Sequence, residues 1–226
     1  MDSVIEYLPL LLQGLRTTLL LAVSTAVLGL ALGMLLALAK LSRHGWLRAP
    51  VFAITNFLRG IPEFLVLLVI YFGGTQLLGT LLPGAGLEMG PFAAGLTALT
   101  LVFGAYASET FRAAFLSVPK GQIEAGRAYG FNAWQCFRYI QLPQIWRVAI
   151  PGLGNLWQGS VKDTALVSIV GLDDLMRKSS QAAQSTREPF TFYLVASLMF
   201  LVITVVSMWI IAALERRASR GMTEMR

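Results

Sequence analysis

The chain has 226 residues, 56% hydrophobic and only 13% charged, against about 25% charged in ordinary soluble proteins, and its mean hydropathy is +0.66. Its net charge of +6 comes with no aromatic-basic platform, which argues against a nucleic-acid partner and for a membrane-orienting bias. Cys136 and His44 are each alone, and no G-x-S-x-G nucleophile motif occurs, so no disulfide, metal site, resident cofactor or catalytic chemistry is expected of this chain.

Residues 17–39 carry no charge, and at about 1.5 Å per residue they cross a hydrocarbon core of about 30 Å. Acidic Asp2 and Glu6 precede them, and the run is too long for a signal-peptide core, so an uncleaved first span is expected. Gly29, Gly33 and Ala37 give it a small-residue face for close helix packing. Lys40, Arg43, His44 and Arg48 follow, and a second span is placed at 57–78. Gly79 to Gly90 forms a loop with breakers Pro83, Gly84 and Gly86. A third span covers 91–116 and a basic loop 117–148. Pro151 is expected to open a fourth span, 149–171, at its first turn. A polar segment, 172–189, leads to a fifth span at 190–214.

Basic residues are retained on the cytoplasmic side. Thirteen of the 18 Lys and Arg residues fall on one side: Lys40, Arg43, Arg48 and Arg59; Arg112, Lys120, Arg127, Arg138 and Arg147; Arg216, Arg217, Arg220 and Arg226. The expectation is an all-α integral membrane protein, one domain over 1–226, with five transmembrane helices, its N-terminus periplasmic and its C-terminus cytoplasmic. Trp157, Tyr193 and Trp209 serve as interfacial or packing aromatics.

The cytoplasmic loop is longer than a connector needs, and Trp134, Phe137 and Tyr139 are poor choices for a solvated linker. A helix from about Pro119 to Tyr129, a turn at Gly130 and a second helix ending before Pro143 are predicted. Glycine suits the turn because it accepts positive φ without a Cβ penalty. From the residues alone, an amphipathic loop on the lipid surface is an equal alternative.

Glu124, Ala125, Gly126 and Gly130, then nine residues, then Ile140, Leu142 and Pro143 resemble the EAA loop of bacterial ABC import permeases. Gly126 stands where that pattern often has alanine. Arg59-Gly60-Ile61-Pro62-Glu63, the run Lys162 to Ser168, Glu188-Pro189-Phe190 and Leu214-Glu215-Arg216-Arg217 are similar to the polar amino-acid subfamily, above all to Q-type subunits of arginine and histidine importers. The resemblance implies the importer permease fold in a bacterial inner membrane. It also implies a homologous permease beside it, a cytoplasmic ATPase dimer gripping the loop and a periplasmic amino-acid-binding protein. No G-x-x-x-x-G-K-[ST] loop occurs, so ATP and Mg²⁺ are expected in the ATPase.

Ionisable groups at bilayer depth cost about 2.5 to 3.5 kcal/mol each on insertion scales. Glu109 with Arg112, and Arg59 with Glu63, are spaced to pair along one helix face. Lys162 and Asp163 are neighbours that cannot face each other. Asn155, Gln158, Gly159 and Lys162 form a polar stripe with Asp163 at its border, and this stripe either lines a substrate path or bridges to the second permease. A carboxylate matches a guanidinium through two parallel hydrogen bonds, which makes Asp163 the candidate contact for a cationic cargo. The competing class is a stand-alone secondary transporter or channel, for which inverted repeats are expected; none is visible.

Overall fold

The computed structural model describes residues 2–81 and 88–218, and within them every regular element is helical. Pro83, Gly84, Gly86, Arg220 and Arg226 lie outside the described residues.

Helix α1 (Asp2–Lys40) holds the expected 17–39 run but begins far earlier. The second expected span is not continuous. α2 (Gly45–Gly60) ends at Ile61, whose φ of −105° and ψ of 139° are extended, and α3 (Glu63–Leu81) starts after Pro62. The proline explains the break, because its ring crowds the preceding residue out of the helical region. α4 (Pro91–Leu116) has the expected bounds, with Pro91 in its first turn, where the missing N–H is tolerated.

α5 (Lys120–Ala128) is followed by Gly130 at a φ of 84°, the left-handed turn expected of it. The second helix of the loop does not end before Pro143. A single turn, α6 (Ala133–Gln135), runs into a π-helical segment, Cys136–Gln141, and directly into α7 (Leu142–Asp163). In a regular ladder the Tyr139 carbonyl would look for the N–H that Pro143 lacks, and the wider turn just before the proline relieves that mismatch. Pro151 accordingly lies inside α7 and opens nothing. The helix tightens to 3₁₀ over Thr164–Val170 and stops at Gly171, φ 100°. The polar segment holds α8 (Leu175–Thr186), capped by the Asp174 carboxylate at the Arg177 amide, 2.9 Å. α9 (Pro189–Ala218) completes the described chain.

α1 and α4 lie side by side in the same direction. A Cβ added at Gly29 would sit 2.5 Å from the Phe103 ring, and one at Gly33 would sit 2.7 Å from Ala107, so the small-residue face is spent within the chain. α7 runs opposite to α4, with Gly152 against Thr110, and opposite to α9, with Gly154 against Ile211. α3 also opposes α4, its Glu63 end near Tyr106 and its Gly74 against Met89. Buried Phe111, Ala114, Val118 and Ile145 weld the end of α4, the start of the loop and the start of α7 into one body. Of α3 only Val66 and Leu67 are buried.

By length and apolarity alone, α1, α3, α4 and α9 qualify as membrane spans. α7 does not, because Asn155, Gln158, Lys162 and Asp163 interrupt it.

Candidate functional site

The loop folds as a compact hairpin. Gly126 is buried where α5 meets the π segment, and a Cβ there would lie 2.5 Å from Ile140 Cδ1 and 3.3 Å from Cys136 Sγ. Its carbonyl accepts the Phe131 amide at 3.0 Å across the Gly130 turn. Asn132 and Gln135 cap each other's backbone at 2.9 and 2.8 Å. Gln144 Nε2 donates to the Gln122 side-chain Oε1 at 2.6 Å, tying α7 back to α5. Gly126, Gly130 and Ile140 therefore shape the hairpin, Leu142 seals an apolar pocket with Phe137 and Trp146, and Glu124, Ala125 and Pro143 are exposed. Tyr129, Trp134 and Tyr139 are 87%, 65% and 66% exposed. Lys120, Arg127 and Arg138 are exposed on the same loop. A groove of about 550 Å³ runs between Gln122, Ala125, Tyr129 and Phe131.

A second feature lies where the break between α2 and α3 meets α4 and α7. Glu63, Tyr106, Asn155, Gly159, Ser160 and Asp163 line a cavity of about 210 Å³, floored by Leu99, Val102 and Phe103. Asn155, Gly159 and Asp163 follow the helical spacing of four and reach it together. Its two ionisable carboxyls come from different helices. The Ser160 hydroxyl is buried and has no partner among the described residues. The polar stripe read from sequence is thus split. Lys162 turns to a separate groove against Ser197, Phe200 and Thr204, and Gln158 lines neither.

Arg59 and Glu63 do not form the expected ion pair. The Arg59 guanidinium lies over the Tyr106 ring, 5.3 Å from its centre, and the Tyr106 hydroxyl donates to the Arg59 carbonyl at 3.4 Å. Glu63 is left facing the cavity. Glu109 and Arg112 do pair, at 2.8 Å, and the fully buried Lys40 joins them, its ammonium 2.8 Å from the other carboxylate oxygen. Sequence reasoning missed Glu63, Tyr106 and Ser160 as cavity groups; the signal for Glu63 was a Gly-Ile-Pro break inside an apolar run.

Residues 29–220 match the family model of binding-protein-dependent transport system inner membrane components. The chain is 41% identical to the arginine ABC transporter permease protein ArtQ of Haemophilus influenzae over 95% of this chain and 96% of that one. It is 42% identical to the histidine/lysine/arginine/ornithine transport system permease protein HisQ of Escherichia coli over 93% and 94%. Among solved structures, an amino acid ABC transporter with histidines superimposes with a TM-score of 0.84 at 31% identity, covering 95% of this chain and 97% of that one. The MetNI methionine transporter, at 21% identity and a TM-score of 0.76 over 94% and 98%, shares the fold. The chain therefore belongs to the inner membrane components of binding-protein-dependent transport systems.

Proposed function

We propose that this chain is the transmembrane permease subunit of an ATP-driven amino-acid importer, with arginine or another basic amino acid as its cargo. The observation that carries the cargo class is the cavity between the broken crossing and α7. Its charged lining groups, Glu63 and Asp163, are both acidic, while the basic neighbours turn elsewhere. Two carboxylates on different helices hold a guanidinium or ammonium better than one. Asn155 and the unpaired Ser160 hydroxyl add neutral donors and acceptors for the rest of an amino acid.

Five crossings fit this reading, with α2 and α3 together forming one interrupted crossing. α1, α4 and α9 run in one direction and α3 and α7 in the other, so Lys40, the hairpin and Arg216 and Arg217 share a side. The positive-inside rule makes that side cytoplasmic and the N-terminus periplasmic. The exposed aromatics and cations of the hairpin then meet an ATPase dimer, which holds ATP and Mg²⁺. A homologous permease completes the pathway, a periplasmic binding protein delivers cargo and lipid covers the apolar flanks. Closure of the ATPase dimer would tilt α4 and α7, the helices that enter and leave the hairpin, and thereby reshape the cavity they line.

The test is uptake by proteoliposomes carrying the whole complex, with labelled arginine, lysine, ornithine, histidine and neutral citrulline. Asp163→Asn is expected to lower arginine uptake at least tenfold more than any residual citrulline uptake. Equal losses for charged and neutral cargo would assign Asp163 to assembly.

A further inference from the structure

Glu63 is the first residue of α3, so its place in the cavity is set by where α2 ends. The end itself packs partly buried Leu58 and Ile61 against the core that holds Val66, Leu67, Leu99 and Val102. Thr55 is the buried residue of α2, and its hydroxyl turns back to the Val51 carbonyl at 2.8 Å. Trp46, Ile54 and Phe57 are exposed. A set of cations on aromatic faces also joins α2 to its neighbours. Lys40 Nζ lies 5.2 Å and Arg112 Cζ 5.6 Å from the centre of the Phe52 ring, and Arg59 lies on Tyr106. All three cation–aromatic contacts among the described residues attach α2 to α1 or α4.

The cations on Phe52 are themselves held. Glu109 gives one carboxylate oxygen to Lys40 and the other to Arg112, each at 2.8 Å, and Lys40 also donates to the Ser108 hydroxyl at 2.7 Å. Arg112 stands one turn before the end of α4, and the buried residues Ala114 and Val118 beyond it are packed with Ile145 of α7. A displacement of the hairpin therefore carries Glu109 and Arg112 with it. An ammonium or guanidinium is drawn toward the centre of a ring face, because the attraction weakens toward the positive ring edge, so the ring tends to follow the cation. Such a contact can pass on a shift without breaking.

We propose that Phe52, gripped by Lys40 and Arg112, is a positioning residue that transmits movement of the cytoplasmic hairpin through α2 to the Gly60–Pro62 break and so to Glu63 in the cargo cavity. This rests on the importer reading above. Removing the ring face while keeping apolar bulk separates transmission from simple packing. In proteoliposomes of the whole complex, Phe52→Leu is expected to keep basal ATP hydrolysis within twofold of the unsubstituted protein. It should lose at least fivefold of both the arginine-stimulated increment and the arginine carried per ATP, while Phe52→Tyr retains both. Stimulation and stoichiometry within twofold in Phe52→Leu overturn the proposal, as does an equal loss in Phe52→Tyr.

Spin labels at exposed Ile54 and Leu77, on α2 and α3, supply a second measurement should Phe52→Leu fail to assemble. Nucleotide is expected to shift their distance distribution in the otherwise unsubstituted complex, and an unchanged distribution overturns the proposal. The failure of the importer reading is distinguishable, since the unsubstituted complex would then show no ATP-driven uptake.

Discussion

Glu109→Gln is expected to damage the protein more than Lys40→Met, although both break the same 2.8 Å ion pair. The Lys40 side chain is 0% exposed and that of Arg112 is 31% exposed. Neutralising Glu109 leaves Arg112 able to reach water, but it removes the counter-charge of the buried Lys40 ammonium and leaves it only neutral partners: the glutamine amide oxygen, the Ser108 hydroxyl and the Phe52 ring. Breaking a buried pair in this way costs about 3–5 kcal/mol. Lys40→Met instead keeps the apolar stem and leaves Glu109 bonded to Arg112 through two donors at 2.8 Å, so its cost is on the order of 1–2 kcal/mol, that of a hydrogen bond to a charged group. The double variant has no stranded charge, and adding Lys40→Met to Glu109→Gln should therefore restore stability. Equilibrium unfolding of the purified complex in mixed micelles, read by tryptophan fluorescence, closes the double-mutant cycle. A double variant as unstable as the sum of the singles would refute the reasoning, because additivity means that the two groups do not depend on each other.

Gly33→Val should cost about 1–3 kcal/mol by forcing α1 off α4, since its first carbon already meets Ala107 Cβ at 2.7 Å and the Gly104 carbonyl at 3.1 Å; thermal unfolding of the complex measures it. Glu124→Lys, on an exposed hairpin position, should leave the fold intact and uncouple uptake from ATP hydrolysis; unaltered substrate-stimulated hydrolysis with normal uptake counts against the docking role. Burial pushes the Asp174 carboxyl up to about 6, against the pull of the Arg177 and Met176 amides it faces. A raised folded value means that the native state keeps the proton after the unfolded chain has released it. The contribution of Asp174 to stability is therefore complete below about pH 4 and is lost as pH rises from about 4 to 6. Asp174→Asn keeps a capping oxygen without the charge, and it should flatten that part of the stability–pH curve. Unchanged pH dependence in unfolding scans would show that the carboxyl is not the titrating group.

Helices whose identity rests on apolar length were legible in the sequence. The cores of α1 and α9 follow from charge-free runs and α4 from an apolar run charged only at Glu109 and Arg112 near its end, and the Gly130 turn follows from backbone sterics. The misread features depend on prolines whose effect is set by tertiary context. Pro62 breaks a run that hydropathy reads as continuous, and the Ile61–Pro62 extension occurs beside a polar cavity where freed backbone groups are tolerated. The sequence marks Pro143 and Pro151 as boundaries, yet the helix passes through both. At Pro143 a π turn absorbs the mismatch, and at Pro151 packing of Gly152 on Thr110 and Gly154 on Ile211 holds the helix together.

Charge pairing within one helix face was legible only where no other helix competes. Glu109 and Arg112 pair as their spacing requires, whereas Arg59 and Glu63, at an equally suitable spacing, are separated by the break between their helices. Arg59 then finds the Tyr106 ring, and Glu63 is released to face Asp163 across the cavity. Spacing along a chain predicts an ion pair only if the helix is unbroken between the partners. In this chain the break that removes the pair also creates the acidic cavity, so one proline both defeats the sequence rule and supplies the feature from which cargo charge is inferred.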